Sequence, residues 1–219
     1  CCPLLAERMV ALSDGNEGNP LSVLITSTCS GEGKTYLSVN LALSLAVAGK
    51  KVLLMDMDLR KGALSALLGG AGKPGLGDLE QAGEGGWRSL VEQSPVSDHL
   101  DYLFAGTVPD HPSRLLLHDR IRKLMEEVKE QYDFIFMDCV PYSSLADARI
   151  VARLADVTLY VMRAGCVKKR DLAGLQKIWK NGELKRMGIV LCDVEPHGRS
   201  SRGYAVYRSL DTSSPCAGK

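Results

Sequence analysis

The chain has 219 residues, 45% of them hydrophobic, and a formal net charge of +1. A chain of that size builds one substantial core and buries roughly 70–75% of its unfolded surface, so one domain is expected. The near-zero charge gives no electrostatic case for a nucleic-acid partner, no apolar run approaches the roughly 20 residues that cross a bilayer, and Cys1-Cys2-Pro3 lacks the basic-then-apolar pattern of a secretory signal.

Taken in order, Leu4 to Leu12 reads as a short helix, followed by the polar loop Asp14 to Pro20. The apolar, β-branched run from Ser22 to Thr26 is a strand. It gives way to Ser27-Thr28-Cys29 and then Ser30-Gly31-Glu32-Gly33-Lys34-Thr35, which opens a helix with Leu37, Leu41 and Leu45 on one face. Gly49 is placed to end that helix, with Lys50 and Lys51 at its negative end. Val52 to Met55 is a strand with apolar residues on both faces, ending in Asp56-Met57-Asp58-Leu59-Arg60.

Residues 69–86 are glycine-rich and are expected to form surface loops around a short Leu76–Ala82 segment. Leu100 to Phe104 is a weaker strand. Ser113 is placed to cap one long helix whose Leu117, Ile121, Leu124 and Val128 follow helical spacing. Phe134 to Met137 is a further strand, ending in Asp138; Val157–Met162 and Gly188–Leu191 add two more, around a helix over Asp171–Lys180 that Gly182 stops. The seven cysteines form no C-x-x-C pair, and Cys29, Cys139, Cys166 and Cys192 are expected as reduced core thiols. Trp87 and Trp179 read as packing or surface residues, Tyr132 as structural, and Tyr142, after the Asp138 motif, as a residue bordering the active site.

Strands alternating with helices imply an α/β fold: a phosphate-loop NTPase-like parallel sheet with helices on both faces, in three layers. The expected division is an N-terminal helix and linker over 1–20, the nucleotide-binding domain over 21–194, and a flexible tyrosine-containing tail over 195–219. Ligands in such sheets sit beyond the carboxyl ends of the strands, where the glycine loop, Asp56, Asp58 and Asp138 all fall. Glycines let backbone N–H groups line an anion cavity. Lys34 then reaches the β- and γ-phosphates and Thr35 offers a hydroxyl to Mg²⁺. Acids clustered at strand ends are costly unless they hold a cation or a proton. Ser30, Gly31, Glu32, Gly33, Lys34, Thr35 and Tyr36 are the expected nucleotide contacts.

These motifs resemble the cytoplasmic catalytic domain of bacterial tyrosine kinases of the capsule and exopolysaccharide type, a branch of the Walker-motif ATPases. The first family motif appears with Ser30 in place of Pro. The second is Val52-Leu53-Leu54-Met55-Asp56-Met57-Asp58-Leu59-Arg60. The third is Phe134-Ile135-Phe136-Met137-Asp138-Cys139-Val140-Pro141, with Val140 in place of Pro. Gly75-Leu76-Gly77-Asp78-Leu79 and Pro109 to Leu116 are also family-like. The resemblance implies ATP with Mg²⁺, the metal held by Thr35, Asp58 and Asp138, and Asp56 accepting the proton of an incoming tyrosine. For Arg60 it leaves two roles open, stabilising transferring charge or pairing with an acidic neighbour.

The implied phosphoacceptors are Tyr204 and Tyr207. Tyr204 follows Asp193 by 11 residues, about 36 Å fully extended, enough for transfer to a neighbouring subunit. Also implied are self-association, a transmembrane polysaccharide co-polymerase or activator segment, a phosphotyrosine phosphatase, and a peripheral place at the inner face of the plasma membrane. The family's E-x-x-R-x-x-R helix is not matched by Glu7 and Arg8, which points to a truncated chain or a different assembly. Arg114 stands where relatives are usually acidic, and Cys192 where they often have Asn. A positioning or partitioning ATPase remains open, although Cys29 stands where those relatives carry an extra lysine. So does a non-catalytic nucleotide-sensing scaffold of a polysaccharide chain-length regulator.

Overall fold

A computed structural model describes residues 2–14, 19–83, 85–143 and 146–194. In chain order the elements are α1 (Cys2–Asp14), β1 (Leu21–Ser27), α2 (Lys34–Val47), β2 (Val52–Asp56), α3 (Ala63–Leu67), α4 (Leu79–Ala82), β3 (Val91–Gln93), β4 (Leu100–Leu103), α5 (Pro112–Leu117), α6 (Asp119–Lys129), β5 (Phe134–Asp138), α7 (Ala146–Val151), β6 (Val157–Arg163), α8 (Lys169–Lys180) and β7 (Met187–Cys192). The strands form one sheet in the order β3-β4-β2-β5-β1-β6-β7, parallel except for the short edge strand β3. The expected α/β architecture is therefore the observed one.

The central strands are buried on both faces and largely apolar because each feeds two cores. On one face Val23, Ile25, Leu54 and Phe136 pack with Leu37, Leu41 and Leu45 of α2 and with Met9 of α1. On the other Leu24, Leu53, Met55, Ile135 and Met137 pack with Ile121, Leu124 and Val128 of α6 and Leu175 of α8. The N-terminal helix is thus seated on α2, with Ala6 and Met9 buried. Strand register sets the site: Asp138 stands opposite both Asp56 on β2 and Ile25 on β1.

Several expectations need correction. The helix expected after Ser113 is two helices. His118 is extended (φ −67°, ψ 142°), and its Nδ1 accepts the Arg120 N–H at 3.2 Å, which caps α6 and leaves Leu117 exposed. Ser113 caps nothing, because its hydroxyl is turned to Asp147. Residues 69–86 are not all surface loop, since Leu76 and Leu79 are buried; just beyond them Trp87 packs as expected, and its Nε1–H donates to Glu127 at 2.7 Å. Of the four cysteines expected in the core, Cys139 is buried, Cys29 is exposed, and Cys166 and Cys192 lie between. Tyr142 is buried and donates to Glu183 at 3.0 Å, so it is a packing residue.

The start of β1 is tied to the other layer through Asp156. Its Oδ2 accepts from Ser22 N–H (3.1 Å), Ser22 Oγ (2.6 Å) and Lys129 Nζ (2.8 Å). Burial pushes this carboxyl up, but the Lys129 ammonium and the Ser22 bonds hold it below the usual range. A depressed carboxylate contributes stability above its unfolded pKa, and that contribution disappears as pH falls through the folded value. Asp156→Asn is therefore expected to destabilise by about 1 kcal/mol at neutral pH, given a half-exposed pair. In urea denaturation the gap to the parent should close below about pH 4.

Candidate active site

The loop from Thr28 to Gly33 joins β1 to α2 and is shaped by its own bonds. Gly33 takes φ +94°, a left-handed conformation that L side chains resist, and its carbonyl accepts the Leu37 N–H that begins the helix. No side chain caps α2, so its first N–H groups are left for an anion. Glu32 is buried and its Oε2 accepts the Cys29 N–H at 2.6 Å, closing the loop from inside. Ser30, Gly31 and Tyr36 are exposed around it. Lys34 Nζ donates to Ser27 Oγ at 2.9 Å, and that hydroxyl donates to the Cys29 carbonyl at 2.6 Å. Burial lowers the Lys34 pKa, against Asp138 and Glu32, which raise it.

Asp138, at the end of β5, meets α2 side-on. Its Oδ2 accepts the Thr35 hydroxyl at 2.7 Å and its Oδ1 the Ser38 hydroxyl at 3.0 Å. Its carbonyl accepts the Met57 N–H at 2.8 Å, fastening the end of β2 to β5. Burial pushes its carboxyl up to about 7, with Asp56 adding to the rise, despite the hydroxyl bonds and Lys34. An enclosed acid so placed is eased by a cation.

The donor set fits Mg²⁺: a hydroxyl, a carboxylate bonded to it, and Asp58, half-buried at the neighbouring strand end. Among the described residues no three His, Cys, Asp or Glu side chains gather to hold a metal, so most of its shell would come from phosphate and water.

The two acids after β2 do different things. Asp56 is fully enclosed, and its Oδ2 accepts from Ser65 N–H (2.8 Å) and Ser65 Oγ (2.7 Å), its Oδ1 from Asp58 N–H (3.1 Å). Both its oxygens are engaged, and those bonds build the turn that carries Asp58 and Arg60. Asp58 uses Oδ1 to hold the Arg60 and Lys61 N–H groups at 3.2 and 3.1 Å, and its Oδ2 is bonded to none of the described residues. Arg60 is paired to Asp147, Nε to Oδ2 at 2.9 Å. Sequence reasoning missed Ser38, Ser65, Ser113 and Asp147. Only Ser38 carries a local signal, four residues after Lys34 on one helix face. Tyr204 and Tyr207 lie outside the described residues.

Comparison with known proteins places this geometry. Residues 23–218 match the family model described as the CobQ/CobB/MinD/ParA nucleotide binding domain. EpsB of Ralstonia nicotianae is 35% identical over 209 residues, which are 92% of this chain but only 27% of that protein. The tyrosine-protein kinase YwqD of Bacillus subtilis is 32% identical over 186 residues, 84% of this chain and 76% of YwqD. The solved kinase domain of the Escherichia coli tyrosine kinase ETK superposes with a TM-score of 0.76 at 28% identity, covering 90% of this chain and 76% of that one. The chain spans about a quarter of the length of its Ralstonia relative and about three-quarters of YwqD. It belongs to the CobQ/CobB/MinD/ParA nucleotide-binding domain family and, within that family, to the bacterial tyrosine-protein kinases.

Proposed function

We propose that the chain is an ATP-dependent protein-tyrosine autokinase. The observation that carries this reading is the meeting of Thr35 Oγ1 and Asp138 Oδ2 at 2.7 Å beside Lys34, where a glycine turn and a distant strand-end acid share one pocket. Mg²⁺, when bound, would neutralise charge on the β- and γ-phosphates, held by Thr35, Asp138 and, through its waters, Asp58.

In the transfer the bond from the γ-phosphorus to the β–γ bridging oxygen breaks, and a bond to the tyrosine phenolic oxygen forms. The products are ADP and phosphotyrosine. Lys34 steadies the phosphate oxygens, and the helix N-terminus and loop N–H groups hold the rest. The phenolic proton departs late in a loose transition state. Asp58, with one oxygen open, is better placed than Asp56 to take it. The acceptors are Tyr204 and Tyr207, reached in trans.

The same reading puts the chain at the inner face of the plasma membrane, self-associated and working with a transmembrane co-polymerase segment and a phosphatase in capsule or exopolysaccharide synthesis. Among the described residues no helix is long and apolar enough to cross a membrane.

The test is phosphosite mapping of the purified chain after incubation with Mg-ATP, for the parent and for Tyr204→Phe/Tyr207→Phe. Phosphate on Tyr204 or Tyr207 in the parent is expected, with total labelling falling at least tenfold in the double variant. A parent that takes up Mg-ATP and labels no tyrosine would overturn the reading.

A further inference from the structure

Four acids are buried among the described residues: Glu32, Asp56, Asp138 and Asp147. The first three belong to the phosphate loop and its strand ends, whereas Asp147 belongs to no sequence motif. It stands in the first turn of α7 and joins two other segments. Its Oδ2 accepts Arg60 Nε at 2.9 Å, from the turn after β2, and its Oδ1 accepts the Ser113 hydroxyl of α5. Ser113 Oγ also lies 3.4 Å from Arg60 Nη2.

The pair is one-sided. The Asp147 side chain is 4% exposed and that of Arg60 is 42% exposed. Enclosing a carboxylate costs several kcal/mol even when it is paired, so stability alone is a poor reason to keep it. The grip takes Arg60 by its Nε edge, with only Nη2 also engaged, at Ser113, among the described residues. Arg60 lines a cavity of about 370 Å³ with Asp110, His111, Pro112, Ser113 and Arg114. Arg60 comes from the same turn as Asp58, whose Oδ1 accepts the Arg60 backbone N–H at 3.2 Å.

We propose that Asp147, assisted by Ser113, is a positioning residue: it fixes the Arg60 guanidinium edge-on, so that its terminal nitrogens meet the acceptor tyrosine and the anionic oxygens in transfer. This inference rests on the tyrosine-transfer reading above. A planar guanidinium held by one edge presents two parallel donors from the other, which a lysine cannot reproduce.

The experiment uses the full chain with Mg-ATP and, as acceptor probe, a synthetic peptide spanning Arg199–Leu210. Asp147→Asn is expected to lower kcat toward the peptide about 10- to 100-fold, while Mg-ATP affinity by calorimetry stays within about twofold of the parent. Arg60→Ala should lose as much. The double variant Asp147→Asn/Arg60→Ala should lose no more than Arg60→Ala alone, because Asp147 acts through Arg60. Arg60→Lys and Ser113→Ala test the same geometry if Asp147→Asn does not fold: Arg60→Lys is expected to keep nucleotide affinity and to lose kcat.

Losses that add in the double variant, kcat falling only in step with nucleotide affinity, or Arg60→Lys at parental kcat would each overturn the proposal. A parent that labels neither peptide nor tail overturns the tyrosine-transfer reading and this inference with it. A labelling parent matched by an equally active Asp147→Asn overturns this inference alone.

Discussion

Replacing Lys34 by methionine is expected to lower tyrosine labelling by about 100- to 1,000-fold, with the melting temperature unchanged or slightly raised. Without nucleotide the ammonium has, among the described residues, one modest bond, to Ser27 Oγ at 2.9 Å. Burial lowers its pKa more than Asp138 and Glu32 raise it, so the charge is a burden on the folded chain. Methionine fills much the same space without that burden. With nucleotide the balance reverses, because among the described residues no other cation is hydrogen-bonded into the loop between Ser27 and Thr35. Removing one preorganised charge from a phosphoryl group costs roughly 3–4 kcal/mol in the transition state. Labelling with Mg-ATP, calorimetry and thermal melts on the same two preparations check this. Parental labelling by Lys34→Met would remove the lysine from the phosphates.

Gly77→Ala is expected to be the most damaging substitution for stability away from the site, costing about 3 kcal/mol or more. The segment 75–78 lies flat against 104–107. Leu76 N–H donates to the Phe104 carbonyl and Gly77 N–H to the Ala105 carbonyl, each at 2.8 Å. Asp78 Oδ2 accepts from Gly75 N–H (2.8 Å) and Thr107 N–H (3.1 Å). A Cβ on Gly77 would be driven into the Thr107 carbonyl oxygen, and backbone cannot swing aside as a side chain does. The neighbouring Leu76 and Leu79 are buried, so displacing the segment opens the core as well. A loss of that size is a large share of the roughly 5–15 kcal/mol that holds a domain folded. The control is Gly174→Ala in α8, where nothing lies within 4 Å of the added carbon; it should gain about 0.5–1 kcal/mol. Urea denaturation of both variants reads the difference, and a Gly77→Ala midpoint equal to the parent's would show that the two segments part without cost.

The strands Val52-Leu53-Leu54-Met55 and Phe134-Ile135-Phe136-Met137 were legible because those runs are buried on both faces and carry no polar residue to interrupt them. The helix after the glycine loop was legible from Leu37, Leu41 and Leu45. Edge elements were not: β3 is three residues long and pairs only with β4, too short to show a period. The break at His118 was hidden because Ile121, Leu124 and Val128 continue the spacing begun at Leu117, and an apolar count does not sense one extended residue. Asp56 and Asp58 look alike in sequence. They part only because Ser65, nine residues on, folds back over the first.

By itself the sequence determined the alternation of strands and helices, the anion loop with its lysine, and the acids at two strand ends, since each is written in neighbouring residues and local periodicity. The tertiary structure alone decided which acid is sealed and which is open, that Ser38 shares Asp138 with Thr35, and that Arg60 is gripped by Asp147 from 87 residues away. Those bonds form between segments that only sheet register and helix packing bring together, and a hydrogen bond between distant partners leaves no spacing in the chain to announce it.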